Sequence, residues 1–285
     1  VRKMMNQVYR VFKKSKFDFT ANLLIIIFCA ASLFPLYWLL TGSFKYSQDI
    51  IRIPPDWIPS RVTLDNYINI FAKHPALRWI GNSLFVSGIT TLGVILVSAA
   101  TGYAVSKIRF RGKKLIFTLV IACLVMPKEI YLLPLYQQMV SYRWIGSMLG
   151  FIIPDIASPF GVYLMTNYYD TIPDEIYESA SIDGSGHFRF FTDFALPLSK
   201  PGIAALGILT FIRTWNSYLW QFVMKTNENT YTLPVGIASL FDNPDIVDYG
   251  LKFAGASITA IPLLLIFMLF QKFFVSGITS GSVKG

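Results

Sequence analysis

The sequence predicts an all-α membrane protein of six transmembrane helices, and three observations carry that prediction. Of the 285 residues, 54% are hydrophobic and only 14% charged, against roughly 25% charged in an average soluble domain; the mean hydropathy is +0.51. Apolar runs near the roughly 20 residues that a bilayer-crossing helix requires recur at 21–43, 82–105, 115–133, 147–168, 201–223 and 251–275. Lys and Arg crowd against two of these runs, at Arg2 to Lys16 and Lys107 to Lys114, as cytoplasmic flanks do. The net charge of +9 is therefore read as membrane topology, and nucleic acid is not an expected partner.

The first run, Ala21 to Phe44, is longer than a signal-peptide core of about 7 to 15 residues, so an uncleaved first span is expected after a basic cytoplasmic N-terminus at 1–20. If the spans alternate, 106–114, 169–200 and both termini lie in the cytoplasm, and 45–80, 127–146 and 224–250 face outward. Residues 21–275 then form one six-helix domain, followed by a flexible cytoplasmic tail at 276–285. Pro35, Pro127, Pro154, Pro159 and Pro262 fall inside or at the edges of spans and predict broken helices. Cys29 and Cys123 sit inside apolar runs and read as small core residues. The first outer loop joins a Pro-rich stretch to a short helix beginning near Leu64. The second is amphipathic and Tyr/Trp-bearing, suited to the headgroup level. The third, about 27 residues with an apolar middle, is long for a connector, which favours a recognition role.

The cytoplasmic segment 169–200 is the least apolar part of the chain. Thr171 and Asp174, with Pro173 between them, predict a helix start; Ile172, Ile176 and Ala180 form its apolar stripe. Asp174, Glu175 and Glu178 give it a charged face. Asp183-Gly184 should end this helix near Ile182, with Asp183 or Ser185 capping a second one. Phe188, Phe191 and Phe194 recur there before Pro197 stops the run. An amphipathic loop on anionic lipid would carry cations, yet before Lys200 the segment has six acids and one base, Arg189. The charge points to a basic protein partner.

The run from Glu178 to Pro201, with its Glu-Ser-Ala, Asp183-Gly184, Phe and Leu196-Pro197, resembles the EAA motif of binding-protein-dependent ABC importer permeases. PPDWIPSRVTLDNY, NSLFVS, GYAVSKIRFRGKK, TWNSYLW, TLPVGI and FFVSGITSGSVKG resemble the carbohydrate branch of that family, the six-span maltose-type subunits. The resemblance implies a type I importer bundle whose 169–200 loop is a coupling helix set in a cleft of an ATPase. It implies Asp174, Glu175, Glu178, Ala180, Asp183, Gly184, Phe188, Phe191 and Pro197 as the docking residues. A second permease, two ATPases, an extracytoplasmic solute-binding protein and a carbohydrate would be its partners, in the bacterial plasma membrane. Ser179, Ser185 and Thr166 depart from the residues usual in the family.

No phosphate-binding GxxxxGK[ST] loop, HExxH or Cys/His cluster is present, so no catalytic site, metal or cofactor is expected in this chain; ATP and Mg would sit on the ATPases. His74 and His187 read as isolated, solvated residues. In the fifth run, Arg213 and Asn216 lie three apart, and ionisable groups at membrane depth face a protein interior or an aqueous path. Trp215, Tyr218 and Trp220 add aromatic surface suited to sugar rings. Cavity lining and helix packing both remain open for this group. A secondary transporter would call for intramembrane acids, and Asp155 is nearly the only candidate.

Overall fold

A computed structural model describes the backbone of residues 2–241 and 248–280 and the side chains of 19–241 and 248–269. Most of the basic N-terminus and the expected tail at 276–285 therefore lie outside the described side chains, and 281–285 outside the described backbone. Among the described residues all regular structure is helical, as a chain crossing lipid demands, because an open strand edge would leave backbone groups unpaired. Four stretches, Phe19–Ser43, Ala76–Lys107, Met148–Asp170 and Tyr249–Leu269, are long and apolar enough to cross a membrane. Two bent helix pairs raise the count to six if each is one span.

The chain forms two compact units. The first holds Val1–Ile70 and Asp245–Ile258: α1 (Arg2–Ser43), α2 (Ser47–Ile50), the start of α3 (Asp65–Lys73) and the first turns of α15 (Tyr249–Ser280). Trp57, from the Pro-rich loop, packs 5.9 Å from the rings of both Phe34 and Trp38, and its carbonyl accepts from the Tyr37 hydroxyl at 2.6 Å. Lys45 is buried; its Nζ donates to the Asp56 carbonyl and lies 4.6 Å over the Trp38 ring. Asn66 donates to the carbonyls of Ser43 and Lys45. The predicted rigid loop and the helix beginning near Leu64 are thus both present.

The second unit, Phe71–Pro244 and Thr259–Gly285, is built around α4 (Ala76–Lys107). It also holds α5 (Lys113–Val125), α6 (Lys128–Ser141), α7 (Met148–Ile156), α8 (Pro159–Asp170), α9 (Asp174–Ile182) and α10 (His187–Phe190). A π-helical turn at Phe191–Ala195 leads into α11 (Leu196–Leu198), followed by α12 (Lys200–Trp215), α13 (Leu219–Val223) and α14 (Leu233–Ser239). The buried face of α4 is made of small residues, among them Ser83, Ser87, Thr90, Ser98, Ala99 and Gly102. Lipid gives helices no hydrophobic drive to associate, so close backbone approach supplies the attraction. A Cβ on Gly102 would come within 2.8 Å of the Met165 Cβ and 2.9 Å of the Thr166 nitrogen on α8. The apolar middle of 224–250 forms α14, whose Leu233, Val235 and Ile237 are buried; 242–247 of that segment lie outside the described residues.

Of the breaks that the prolines predicted, those at Pro127 and at Pro154 to Pro159 occur, whereas α15 runs through Pro262 and α1 through Pro35 without interruption. The chain turns by 99° between α5 and α6 at Pro127, and α7 yields to α8 at Ser158, whose hydroxyl accepts from the Gly161 N–H. Three further expectations need correction. The run 201–223 is not one helix: α12 ends at Trp215, because the Asn216 amide turns back to donate to the Ile212 carbonyl, the local competition that makes Asn a poor helix-interior residue. Pro197 does not stop the second loop helix, which continues to Leu198 and then bends by 74° into α12. Cys29 and Cys123 are exposed, not core; helices in lipid turn apolar residues outward as well as inward, so apolarity does not mark an interior there.

Gly102→Leu is expected to force α4 from α8 and cost about 1 to 3 kcal/mol. The check is the thermal unfolding midpoint of the detergent-purified protein, where an unchanged value would mean that the helices do not meet there.

Candidate functional site

Two places gather the residues singled out by the sequence. The first is the loop built on α9 and α10. Helix α9 spans Asp174–Ile182, as the spacing predicts, and Ile172 and Ala180 are buried with Ile176 packed beside them. Gly184 adopts φ +81°, a conformation that disfavours a side chain. Its N–H donates to the Ser181 carbonyl and that of Ser185 to the Ala180 carbonyl, the Schellman closure of a helix. Thr171 does not cap α9; its hydroxyl donates back to Tyr168. Nor does Ser185 cap α10, which starts from Gly186 with no side-chain cap.

This loop is fixed to the end of α4 by two kinds of contact. On one side, Lys107 is nearly enclosed, with a side-chain exposure of 7%, and donates to the Ile172 carbonyl at 2.7 Å and to Asp174 Oδ1 at 2.6 Å; Ser106 donates to Asp170 at 2.6 Å. On the other, Tyr103 meets Tyr169, Phe190 and Phe191. His187 is not isolated: its ring stacks on Tyr177 at 5.3 Å, and the Tyr177 hydroxyl lies 3.1 Å from Nδ1. His74 likewise sits 3.4 Å from a Glu228 carboxylate oxygen. Ala180 turns inward and Phe191 is partly buried against the same core, whereas Glu175, Glu178, Asp183, Gly184 and Pro197 are exposed. Phe188 is 80% exposed and Ile182 87% exposed, an apolar pair flanking the Gly184 turn.

The second place is a cavity of about 400 Å³ where three helix breaks meet. It is lined from the α5–α6 bend by Cys123, Met126, Lys128, Glu129 and Tyr131. The end of α7 and start of α8 add Asp155 and Phe160, and the end of α12 and start of α13 add Arg213, Tyr218 and Trp220. Asp155, with a side-chain exposure of 7%, accepts from Lys128, and Arg213 lies 3.8 Å from the same oxygen. Of the residues singled out in the fifth run, Arg213, Tyr218 and Trp220 line this cavity. Trp215 is buried and donates to the Thr259 carbonyl at 3.1 Å, a packing role, and Asn216 closes α12.

Residues 89–280 match the family described as the binding-protein-dependent transport system inner membrane component. The chain belongs to this family. It is 35% identical to the arabinooligosaccharides transport system permease protein AraQ of Halalkalibacterium halodurans, over 89% of this chain and 92% of that one. The trehalose/maltose transport system permease protein MalG of Thermococcus litoralis is 29% identical, over 92% and 94%. In fold it is similar to a chain of a bacterial ABC transporter involved in the import of the acidic polysaccharide alginate, with a TM-score of 0.79 at 19% identity, over 90% of this chain and 96% of that one.

For this inner membrane component the sequence named the exposed acids and the apolar stripe of the loop and passed over the groups on α4 that hold it. Lys107 was read only as a topology signal, and Tyr103 and Phe190 were not distinguished from other apolar residues. The Asp174 carboxyl is held below the usual carboxylate range, first by the Lys107 hydrogen bond and then by the Lys107 charge. A depressed folded pKa means that this contribution is complete above the unfolded value, near 4, and is lost as pH falls through the folded one. Because 78% of the Asp174 side chain is exposed and solvent screens the pair, Lys107→Met should raise amide hydrogen exchange across 174–182 about twofold, roughly 0.5 kcal/mol. Acidification below about pH 4 should loosen the parent protein and add less in the variant; equal exchange in both proteins at neutral pH would rule out the clamp.

Proposed function

We propose that this chain is one permease subunit of a bacterial ABC importer carrying an oligosaccharide or a related sugar or polyol, driven by ATP hydrolysed on separate ATPase subunits. The observation that carries this reading is the family match over 89–280, which includes the acidic exposed loop. The arabinooligosaccharide and trehalose/maltose permeases among its relatives support a carbohydrate cargo. In this reading each bent pair is one span, giving six, with 1–20, the 169–200 loop and 276–285 in the cytoplasm around a permease domain at 21–275. A second permease completes the pathway, an extracytoplasmic binding protein delivers the sugar, and ATP and Mg reside on the ATPases.

The loop supplies the mechanical link. Glu175, Glu178 and Asp183 meet basic or backbone groups of the ATPase, and Phe188 enters its cleft beside the turn at Gly184. Ala180, Phe191 and Asp174 tie that surface to α4 and α8 through the Tyr103 cluster and Lys107. Closure of the ATPases then displaces the loop as a unit with these helices, and the bundle passes between inward-open and outward-open states. Glu178→Arg leaves the packed face untouched. It is expected to insert normally and to lower sugar uptake by the assembled transporter at least tenfold, a loss of about 1.4 kcal/mol or more in coupling. Undiminished uptake at normal membrane abundance would exclude Glu178 as a docking residue, and purification of the chain as an active solitary carrier would exclude the importer reading.

A further inference from the structure

The cavity at the three helix breaks is lined by a balanced set of charges, Lys128 and Arg213 against Asp155 and Glu129. Asp155 is enclosed, with 7% of its side chain exposed, and both cations pair with its Oδ1. The cations are less enclosed: 47% of the Lys128 side chain and 49% of the Arg213 side chain stay open. Charged groups at membrane depth face protein or an aqueous path, so the open side of this cluster belongs to a path and not to lipid. Lys128 commits one donor to Asp155, and Arg213 pairs with it at 3.8 Å, beyond hydrogen-bonding distance. Both cations therefore keep further donors for a ligand.

Tyr131, Tyr218, Trp220 and Phe160 add aromatic surface to the lining and Ser217 a hydroxyl. The volume of about 400 Å³ falls within the roughly 300 to 1,000 Å³ of small-molecule sites, which join apolar and aromatic walls to a few placed polar groups. Such a lining discriminates by charge. A ligand with a net charge would bring an uncompensated ion into a site whose own charges already cancel, and its desolvation would go unreturned. A hydroxyl both donates and accepts, so a neutral polyol can donate to the Asp155 carboxylate and accept from Lys128 and Arg213 while the balance holds. The geometry points to a binding site in this chain for an uncharged sugar, with Lys128, Asp155 and Arg213 on its hydroxyls and Tyr131, Tyr218 and Trp220 against its ring. The proposal rests on the permease reading above; it adds the residues of this chain that hold the cargo and the neutrality they select.

Cys123 lines the same cavity and is exposed, which makes its thiol a reporter of occupancy, while Cys29 on α1 serves as a control. The assembled complex is held in nanodiscs without its binding protein, so that only the permease path selects. Labelling of the two cysteines by N-ethylmaleimide is followed by mass spectrometry of this chain. Arabinobiose, maltose, digalacturonate and the disaccharide of glucosamine with its amines protonated are compared. At least one of the two neutral sugars should slow labelling of Cys123 and not of Cys29, at a concentration about tenfold lower than either charged sugar requires. Arg213→Gln leaves an acid in excess and should bring the glucosamine disaccharide level with the neutral sugar; Asp155→Asn leaves a cation in excess and should do the same for digalacturonate. If Asp155→Asn fails to assemble, Arg213→Gln decides, because half of that side chain is already open. The assignment is overturned if Cys123 is not labelled, if neither neutral sugar protects it, if a charged sugar protects the parent protein equally well, or if the charge preference is unaltered in Arg213→Gln. Uptake of the neutral sugars into proteoliposomes by the same complex with its binding protein is measured in parallel. Uptake that persists while protection fails removes the site and leaves the importer reading standing.

Discussion

The close approach of α4 and α8 is the constraint on which the working parts of the second unit depend. Gly102 of α4 meets Met165 and Thr166 of α8, and Gly161 of α8 meets Ser98 of α4. In lipid, van der Waals contact between near-touching backbones replaces the hydrophobic drive of a soluble core. Once these two helices are locked together, the C-terminal end of α4 is delivered to the root of the acidic loop and the N-terminal end of α8 is delivered to the cavity. Larger residues at these glycines would separate the helices and both sites together.

From that contact the loop acquires its character. A short helix of nine residues is marginal by itself in water, and α9 is held by what it rests on. Ile172 and Ala180 seal one side, and Lys107 ties the first turn from beneath. The acidic side chains and Phe188 are then free to face outward, because the structural work is done by the other face. Substitutions on the two faces should consequently differ in kind, the inner ones loosening the loop and the outer ones changing what it can dock.

The cavity depends on a different feature, the coincidence of three interruptions. Pro127 removes a backbone donor between α5 and α6, Ser158 restarts α8 after the break, and Asn216 closes α12 with its own side chain. Each alone is a local kink. Together they place Lys128, Asp155 and Arg213 around a single volume, although these residues are 27 and 58 positions apart along the chain.

Much of this protein was legible in its sequence, for physical reasons that can be named. Apolar runs of bilayer length, the positive flanks and the prolines determined the helical class, the approximate spans and the breaks at Pro127 and Pro159, since lipid permits so few backbone solutions. The six acids before Lys200 and the Asp183-Gly184 turn determined an exposed acidic loop, and their spacing resembled the family to which the chain belongs. What the sequence could not determine was which polar and aromatic residues face one another. Lys107 looks like any lysine flanking an apolar run until the chain folds Asp174 against it. Arg213 and Trp215 lie two residues apart, yet one lines a cavity and the other packs against Thr259, because the direction of a side chain around a helix has meaning only once its neighbours are in place.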